Sequence, residues 1–205
     1  MRFGLIYATP DLYDLAMRTI YRDRHDERFH SVAEEVEEGD EVVDLCAGTA
    51  LLYNALRDKS VNYRAFDINP GFVRALRARA IAAECLDVEK MHIPEADVVT
   101  MSSALYHFYP RCAELLQRMR LSARKKVVLV EPVNNNANSN LPLWGAFARW
   151  VSRVDGREVP FHFDQESLER LCDELAGPQR RELVCGDRDM RVVLAAGDYS
   201  PHATT

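Results

Sequence analysis

An α/β domain with a doubly wound, mostly parallel sheet is the fold class this sequence predicts, and three features predict it. Short β-rich runs alternate with helical runs of about ten residues from Glu41 onward, which implies parallel pairing through right-handed crossovers. Strands such as Val127-Val128-Leu129-Val130 are apolar at every residue, as a sheet covered on both faces requires. Near the end, two β runs lie too close together for a crossover. Only a hairpin can join them, so the sheet should finish with an antiparallel strand.

The elements follow in order. Asp11 is a candidate N-cap for a first helix, with Leu12, Leu15, Ala16 and Ile20 at helical spacing. A second helix is expected from about Arg28 to Glu38, stopped by Gly39. Then come a strand at Glu41–Leu45, a helix at Ala50–Leu56, a strand at Asn62–Phe66, a helix at Gly71–Ala80 and a strand at Ala82–Leu86. Asp97–Met101 is the next strand and Arg111–Leu121 the next helix. Lys126–Val133 is the longest β-branched run, bounded by Pro132 and an asparagine-rich loop. Leu143, Trp144, Phe147, Trp150 and Val151 recur at helical spacing, which reads as an amphipathic insert helix. A helix at Asp164–Leu175 precedes strands at Arg181–Cys185 and Arg191–Ala195, joined across Gly186-Asp187-Arg188-Asp189. Ser200 to Thr205 should fray.

The 205 residues suffice for one domain with a sizeable core and are too few for two ordinary ones. Its parts are a helical cap over 1–38, a core over 39–133, an insert over 134–163 and a terminal helix with hairpin over 164–198. With 47% apolar and 28% charged residues, the composition is that of a soluble globular protein. No apolar run approaches the roughly 20 residues a membrane-spanning helix needs, and Met1–Tyr7 lacks the pattern of a signal peptide. Cys46, Cys85, Cys112, Cys172 and Cys185 form no CxxC pair, so reduced thiols in the cytoplasm are expected. A net charge of −6 argues against a nucleic-acid partner. The basic run of Arg118, Arg120, Arg124, Lys125 and Lys126 reads as the solvated end of a helix, where cations suit the dipole. His25, His30, His92, His107, His162 and His202 show no ligand spacing, so no metal site is expected.

Three polar signals fall at the ends of successive strands. The first strand runs into Asp44-Leu45-Cys46-Ala47-Gly48-Thr49-Ala50, a turn of small residues where a ligand can lie close to the backbone. The helix after it would offer free N–H groups. The second strand ends at Asp67, nineteen residues after Gly48. A carboxylate there can accept both ribose hydroxyls of a nucleoside, or it can cap the helix that starts after Pro70. After the third strand, Asp87 can accept from an adenine amino group while Leu86 and Val88 flank the ring.

These residues, over about Gly39 to Val133, resemble the class I S-adenosylmethionine-dependent methyltransferase family. The family's Asp-x-Gly-x-Gly-x-Gly strand end reads Asp44-Leu45-Cys46-Ala47-Gly48-Thr49-Ala50, with Cys46 and Ala50 at the first and third glycines. Asp67 in Ala65-Phe66-Asp67-Ile68-Asn69 and Asp87 match the family's acidic residues, and Ala96–Ser103 its fourth strand. The resemblance implies a seven-stranded Rossmann-like methyltransferase fold. It also implies S-adenosylmethionine as cofactor, S-adenosylhomocysteine as product, and Asp44, Cys46, Ala47, Gly48, Asp67, Ile68, Leu86, Asp87, Val88, Ser102 and Ser103 as cofactor contacts. A Cys46 held at positive φ would be strained. The first thirty-five residues and Asn134–His162 fit no family pattern. A pyrophosphate needs several glycines in its cradle and this turn has only Gly48, which argues against a nicotinamide cofactor.

A base is needed only when the acceptor must lose a proton. The resemblance places the loop after the fourth strand beside both cofactor and acceptor, which makes His107 the first candidate and Tyr106 the second. Glu131 ends the fifth strand and points either into the same crevice or into the sheet. Ser103-Ala104-Leu105-Tyr106 stands where amino-group methyltransferases carry Asn/Asp-Pro-Pro-aromatic, which favours a small-molecule acceptor. Tyr7 and Tyr13 on the N-terminal side and Trp144 and Trp150 on the insert are candidate acceptor walls. The readings in competition are aminopropyl or aminocarboxypropyl transfer, and a non-catalytic S-adenosylmethionine-binding partner of another subunit. A homo-oligomer is compatible with all of them.

Overall fold

In the computed structural model, residues 26–134 and 161–197 are described, together with Leu15 and Arg18. The elements are helix α1 (Glu27–Ala33), strand β1 (Glu41–Leu45), helix α2 (Leu51–Ala55), strand β2 (Asn62–Asp67), helix α3 (Pro70–Ala78) and strand β3 (Ala83–Cys85). Strand β4 (Ala96–Ser102), a 3-10 turn (Leu105–Phe108), helix α4 (Cys112–Ser122) and strand β5 (Ala123–Pro132) follow. Helix α5 (Gln165–Asp173) leads to strands β6 (Gln179–Val184) and β7 (Asp189–Ala195).

All seven strands form one sheet in the order β3-β2-β1-β4-β5-β7-β6. The pairs from β3 to β5 are parallel, and β7 runs antiparallel to both β5 and β6. Chain order reverses between β1 and β4, which opens a crevice beyond their carboxyl ends. Alternate residues of the central strands face opposite sides. Val43, Leu45, Val99, Met101, Val127 and Leu129 pack with Leu116 and Met119 of α4 and Leu168 of α5. Val42, Val98, Val128 and Val130 pack with Val32 of α1, Leu52 of α2 and Leu76 of α3. Helices on both faces explain why these strands carry no polar face.

Helix α1 is fixed to the hairpin by charge. Arg28 Nη2 lies 2.7 Å from Asp189 Oδ2, with the two side chains 5% and 0% exposed. The carbonyl of its last residue, and that of Val36 beyond it, are satisfied by Lys59, whose Nζ donates to Ala33 O and Val36 O at 2.7 and 2.5 Å. Helix α5 starts with a capping box, Asp164 accepting from Ser167 N–H while Ser167 Oγ accepts from Asp164 N–H.

Several boundaries differ from the sequence reading. The helix expected from Arg28 to Glu38 stops at Ala33, and Gly39 instead takes φ +82 in the turn into β1. Strand β5 begins at Ala123, three residues earlier than expected, because Ala123 already pairs with Ala96 and is buried. That corrects the reading of the basic run. Arg124 donates to Asp97 and Glu41, Lys125 to Asp40 Oδ1 and Lys126 to Glu35 O, all from β5. Arg118 and Arg120, on α4, donate to the carbonyls of Val88 and Ala195. The run stitches strand ends and loops together and is not a solvated helix terminus. The first helix with its Asp11 cap, and the insert helix around Trp144, lie outside the described residues. None of the described helices is long and apolar enough to cross a membrane.

Candidate functional site

The crevice between β1 and β4 is bordered by a turn with an unusual backbone. Cys46, Gly48 and Ala50 take φ of 57, 55 and 54. All three positions at which the family motif has glycine are therefore left-handed, although two of them carry a Cβ here. A non-glycine residue in that region is strained by roughly 1–2 kcal/mol, so the turn is held by its surroundings. Ala47 N–H donates to Phe66 O at 3.1 Å, Ala50 N–H to Ala47 O at 2.8 Å, and Gly48 N–H to Asp67 Oδ2 at 2.9 Å. These three donors are engaged within the protein, and α2 has only five residues. The turn is thus braced from within before the helix begins at Leu51.

Asp67 is not the helix cap. Its second oxygen accepts from Asn69 N–H at 2.8 Å, and the cap of α3 is Asn69, whose Oδ1 accepts from Gly71 N–H at 2.8 Å. Asp67 thus ties the β1 turn to the end of β2. Burial raises its pKa, against the lowering effect of the two backbone donors. Asp44 accepts from Tyr63 Oη at 2.6 Å, and burial pushes it up to about 7 despite that bond, with Asp67 adding to the rise. Asp87 is the most solvated of the three aspartates. Its oxygens accept from Lys90 Nζ at 2.8 Å and Glu89 N–H at 3.1 Å, and the Lys90 bond holds its pKa low. Leu86 and Val88 are buried in the core, leaving half-exposed Ile68 as the more accessible apolar side chain here.

The carboxylates converge on Cys46. Its thiol is pushed well above the ordinary range by burial and then by Asp67, Asp44, Glu131 and Asp87, all of the same sign. The crevice is thus bordered by acidic side chains, several of which burial drives toward the neutral form. All five cysteines are free thiols.

At the end of β4, Ser103 is also left-handed, at φ 53. Ser102 Oγ, Ser103 Oγ, His107 Nδ1 and Glu131 Oε2 are buried with no hydrogen-bond partner among the described residues. Buried polar atoms without partners cost stability, and four of them gather at this strand end. His107 is held neutral, its pKa lowered to about 4 by burial and by His162. The Tyr106 ring lies between the two imidazoles, with centroids 4.2 Å from His107 and 4.9 Å from His162. Phe161 stacks on Tyr109 at 4.2 Å and meets Phe163 edge-on at 4.9 Å.

The described structure brings Asp44, Cys46, Ala47, Gly48, Asp67, Ile68, Asp87, Ser102, Ser103, Tyr106 and His107 to one end of the sheet. Tyr7, Tyr13, Trp144 and Trp150 lie outside the described residues. Sequence reasoning missed His162 and the direction of Glu131. The aromatic triplet Phe161-His162-Phe163 was the available signal for the first. For the second no local signal existed, because only the fold shows that Glu131 turns to the β4 loop.

Residues 43–130 match a family model described as a methyltransferase domain. None of the curated proteins matches the sequence. Among solved structures, a chain from the complex between the Haloferax volcanii Trm112 methyltransferase activator and a methyltransferase superposes at a TM-score of 0.70 and 15% identity, over 97% of this chain and 100% of that one. Human N-acetylserotonin methyltransferase, solved with S-adenosylmethionine, gives 0.67 at 16% identity over 94% of this chain and 58% of its own. Magnesium protoporphyrin IX methyltransferase from Synechocystis, solved with S-adenosylhomocysteine, gives 0.63 at 11% identity over 90% and 87%. The chain thus spans little more than half the length of the human enzyme. The structural likenesses show a Rossmann-like methyltransferase fold, and residues 43–130 match a methyltransferase domain within it.

Proposed function

We propose that the protein transfers a methyl group from S-adenosylmethionine to a small-molecule acceptor bound beside the end of β4. The observation that carries this reading is the gathering of Asp44, Asp67 and Asp87 at one end of the sheet beside the unpartnered Ser102, Ser103 and His107 side chains. Such a site suits a phosphate-free nucleoside better than a dinucleotide. The residues present therefore fit the cofactor.

The cofactor, when bound, supplies an electrophilic methyl group on a sulfonium. Asp67 uses its remaining lone pairs to accept the ribose hydroxyls, and Asp87 accepts from the adenine amino group. Ile68 provides the accessible apolar flank, and Asp44, Cys46, Ala47 and Gly48 form the floor. Ser102 and Ser103 offer their unpartnered hydroxyls to the polar end of the ligand. His107 is neutral at physiological pH and has a free Nδ1, so it can take a proton from an acceptor hydroxyl, with Tyr106 packed on its ring. The protein's remaining contribution is to align the acceptor and exclude water. In this reading, residues 39–133 are the cofactor-binding part of a single cytoplasmic domain.

A protein partner is a second reading, favoured by the Haloferax neighbour's occurrence in a complex with an activator. Calorimetry with S-adenosylmethionine, S-adenosylhomocysteine and NAD on the purified protein tests the main one. Binding of the first two without NAD is expected, and tighter binding of NAD would refute it. Product analysis during turnover then separates methyl transfer, which leaves S-adenosylhomocysteine, from aminocarboxypropyl transfer, which leaves methylthioadenosine. Binding without turnover on any acceptor would favour the partner reading.

A further inference from the structure

Glu131 is fully buried at the carboxyl end of β5, a costly place for a carboxylate. Among the described residues, no cation forms an ion pair with it directly. Its Oε1 accepts two backbone N–H groups, from Ala104 and Leu105, each at 2.8 Å. Those two residues open the 3-10 turn Leu105–Phe108, which carries Tyr106 and His107. They follow Ser103, which is left-handed and whose N–H donates to Val130 O at 2.8 Å on the same strand. The end of β5 therefore grips the β4 loop at three consecutive amides.

We propose that Glu131 is a positioning residue, which holds the β4 turn in the one conformation that presents the His107 ring to the crevice. The proposal rests on the methyltransferase reading for its purpose, but the grip itself does not depend on that reading. One carboxylate oxygen satisfying two adjacent N–H groups acts as an N-terminal cap supplied from a neighbouring strand. A 3-10 turn of four residues has too few internal bonds to fix itself, and Ser103 in the left-handed region would relax without an external hold. Burial keeps Glu131 near neutral titration, at about 7, against the lowering effect of the two donors. Arg28 on α1 and Asp189 on β7 act on it with opposite sign, and it acts in turn on the thiols of Cys46 and Cys112.

The test follows the His107 ring by NMR and the Ala104 and Leu105 amides by hydrogen exchange, in the full chain without ligand. In the wild type His107 should titrate near 4. In Glu131→Ala the turn is released, so the His107 midpoint should rise toward the ordinary histidine value. The two amides should then exchange at least about tenfold faster. Glu131→Gln should restore both readouts, since its amide oxygen can accept the same two bonds. If Glu131→Ala does not fold, Glu131→Asp replaces it: one methylene shorter, it cannot reach both amides and should behave as the alanine variant is expected to. A variant that melts earlier but leaves the ring and amides as in wild type would overturn the proposal, as would a glutamine variant that fails to rescue. Calorimetry of S-adenosylhomocysteine on the wild type is run alongside. Failure to bind there defeats the methyltransferase reading, while the ring and amide results still decide the role of Glu131.

Discussion

Replacing Asp67 by alanine strikes the cofactor site and its scaffold together. The carboxylate accepts from Gly48 N–H at 2.9 Å and from Asn69 N–H at 2.8 Å, so the variant strands two buried donors. Hydrogen bonds to a charged group contribute roughly 1.5–3 kcal/mol each, and the raised pKa shows that burying the charge returns part of that. A net loss of about 2–3 kcal/mol is expected, or roughly 5–10 °C in Tm for a domain of this size. If the remaining lone pairs also take the ribose hydroxyls, affinity for S-adenosylhomocysteine falls by at least about tenfold. The assay is calorimetry at a temperature well below the variant's melting point, so that unfolding does not masquerade as lost affinity. Asn69→Ala is the control: it removes the cap of α3, costs about 1 kcal/mol and should leave binding unchanged. A destabilised Asp67→Ala protein that binds S-adenosylhomocysteine as well as the wild type would refute the ribose assignment and leave Asp67 as a strut.

Two further outcomes are expected. The folded Asp44 has its pKa raised from 3.8 to about 7, so between those values the folded state binds more protons than the unfolded one. Stability from this group therefore falls as pH rises through that window and is level above it. The gap bounds the effect at roughly 4 kcal/mol. Asp44→Asn should flatten the ligand-free stability profile between pH 5 and 8 and be no less stable than wild type at pH 8. Denaturant melts across that range check it, and a variant destabilised more at pH 8 than at pH 5 would contradict it. Separately, turnover should survive excess EDTA; activity lost to the chelator and restored by magnesium or zinc would reveal a required metal.

The architecture was legible because alternation is a local property. Apolar strands and helical runs of about ten residues can be read one window at a time, and the short Cys185–Arg188 link forces antiparallel pairing of β6 and β7 without any knowledge of the rest. That Asp44, Asp67 and Asp87 share one sheet edge was legible for a related reason: in a parallel sheet the carboxyl ends of the strands line the same edge. The boundaries that failed were those where a distant partner decided the outcome. Strand β5 starts at Ala123 because Ala96 is there to pair with it, and α1 stops at Ala33 with Lys59 closing its last carbonyl.

What the sequence determined by itself was the fold class, the place of the crevice and the small-residue turn beside it. Only the tertiary structure decided what each carboxylate does. From sequence, Asp67 was first a ligand contact with a helix cap as the alternative, and the fold shows it bracing Gly48 and Asn69. Glu131 could have faced the sheet or the crevice, and the fold turns it onto Ala104 and Leu105. The left-handed backbone at Cys46 and Ala50, where side chains disfavour it, flanks Ala47 and Gly48, whose N–H groups are held by Phe66 and Asp67 of the neighbouring strand. Periodicity and turn chemistry act over a few residues and are written in the local sequence. A hydrogen bond or a titration depends on which groups, twenty or more residues away, arrive within 3 Å, and that depends on the packed chain.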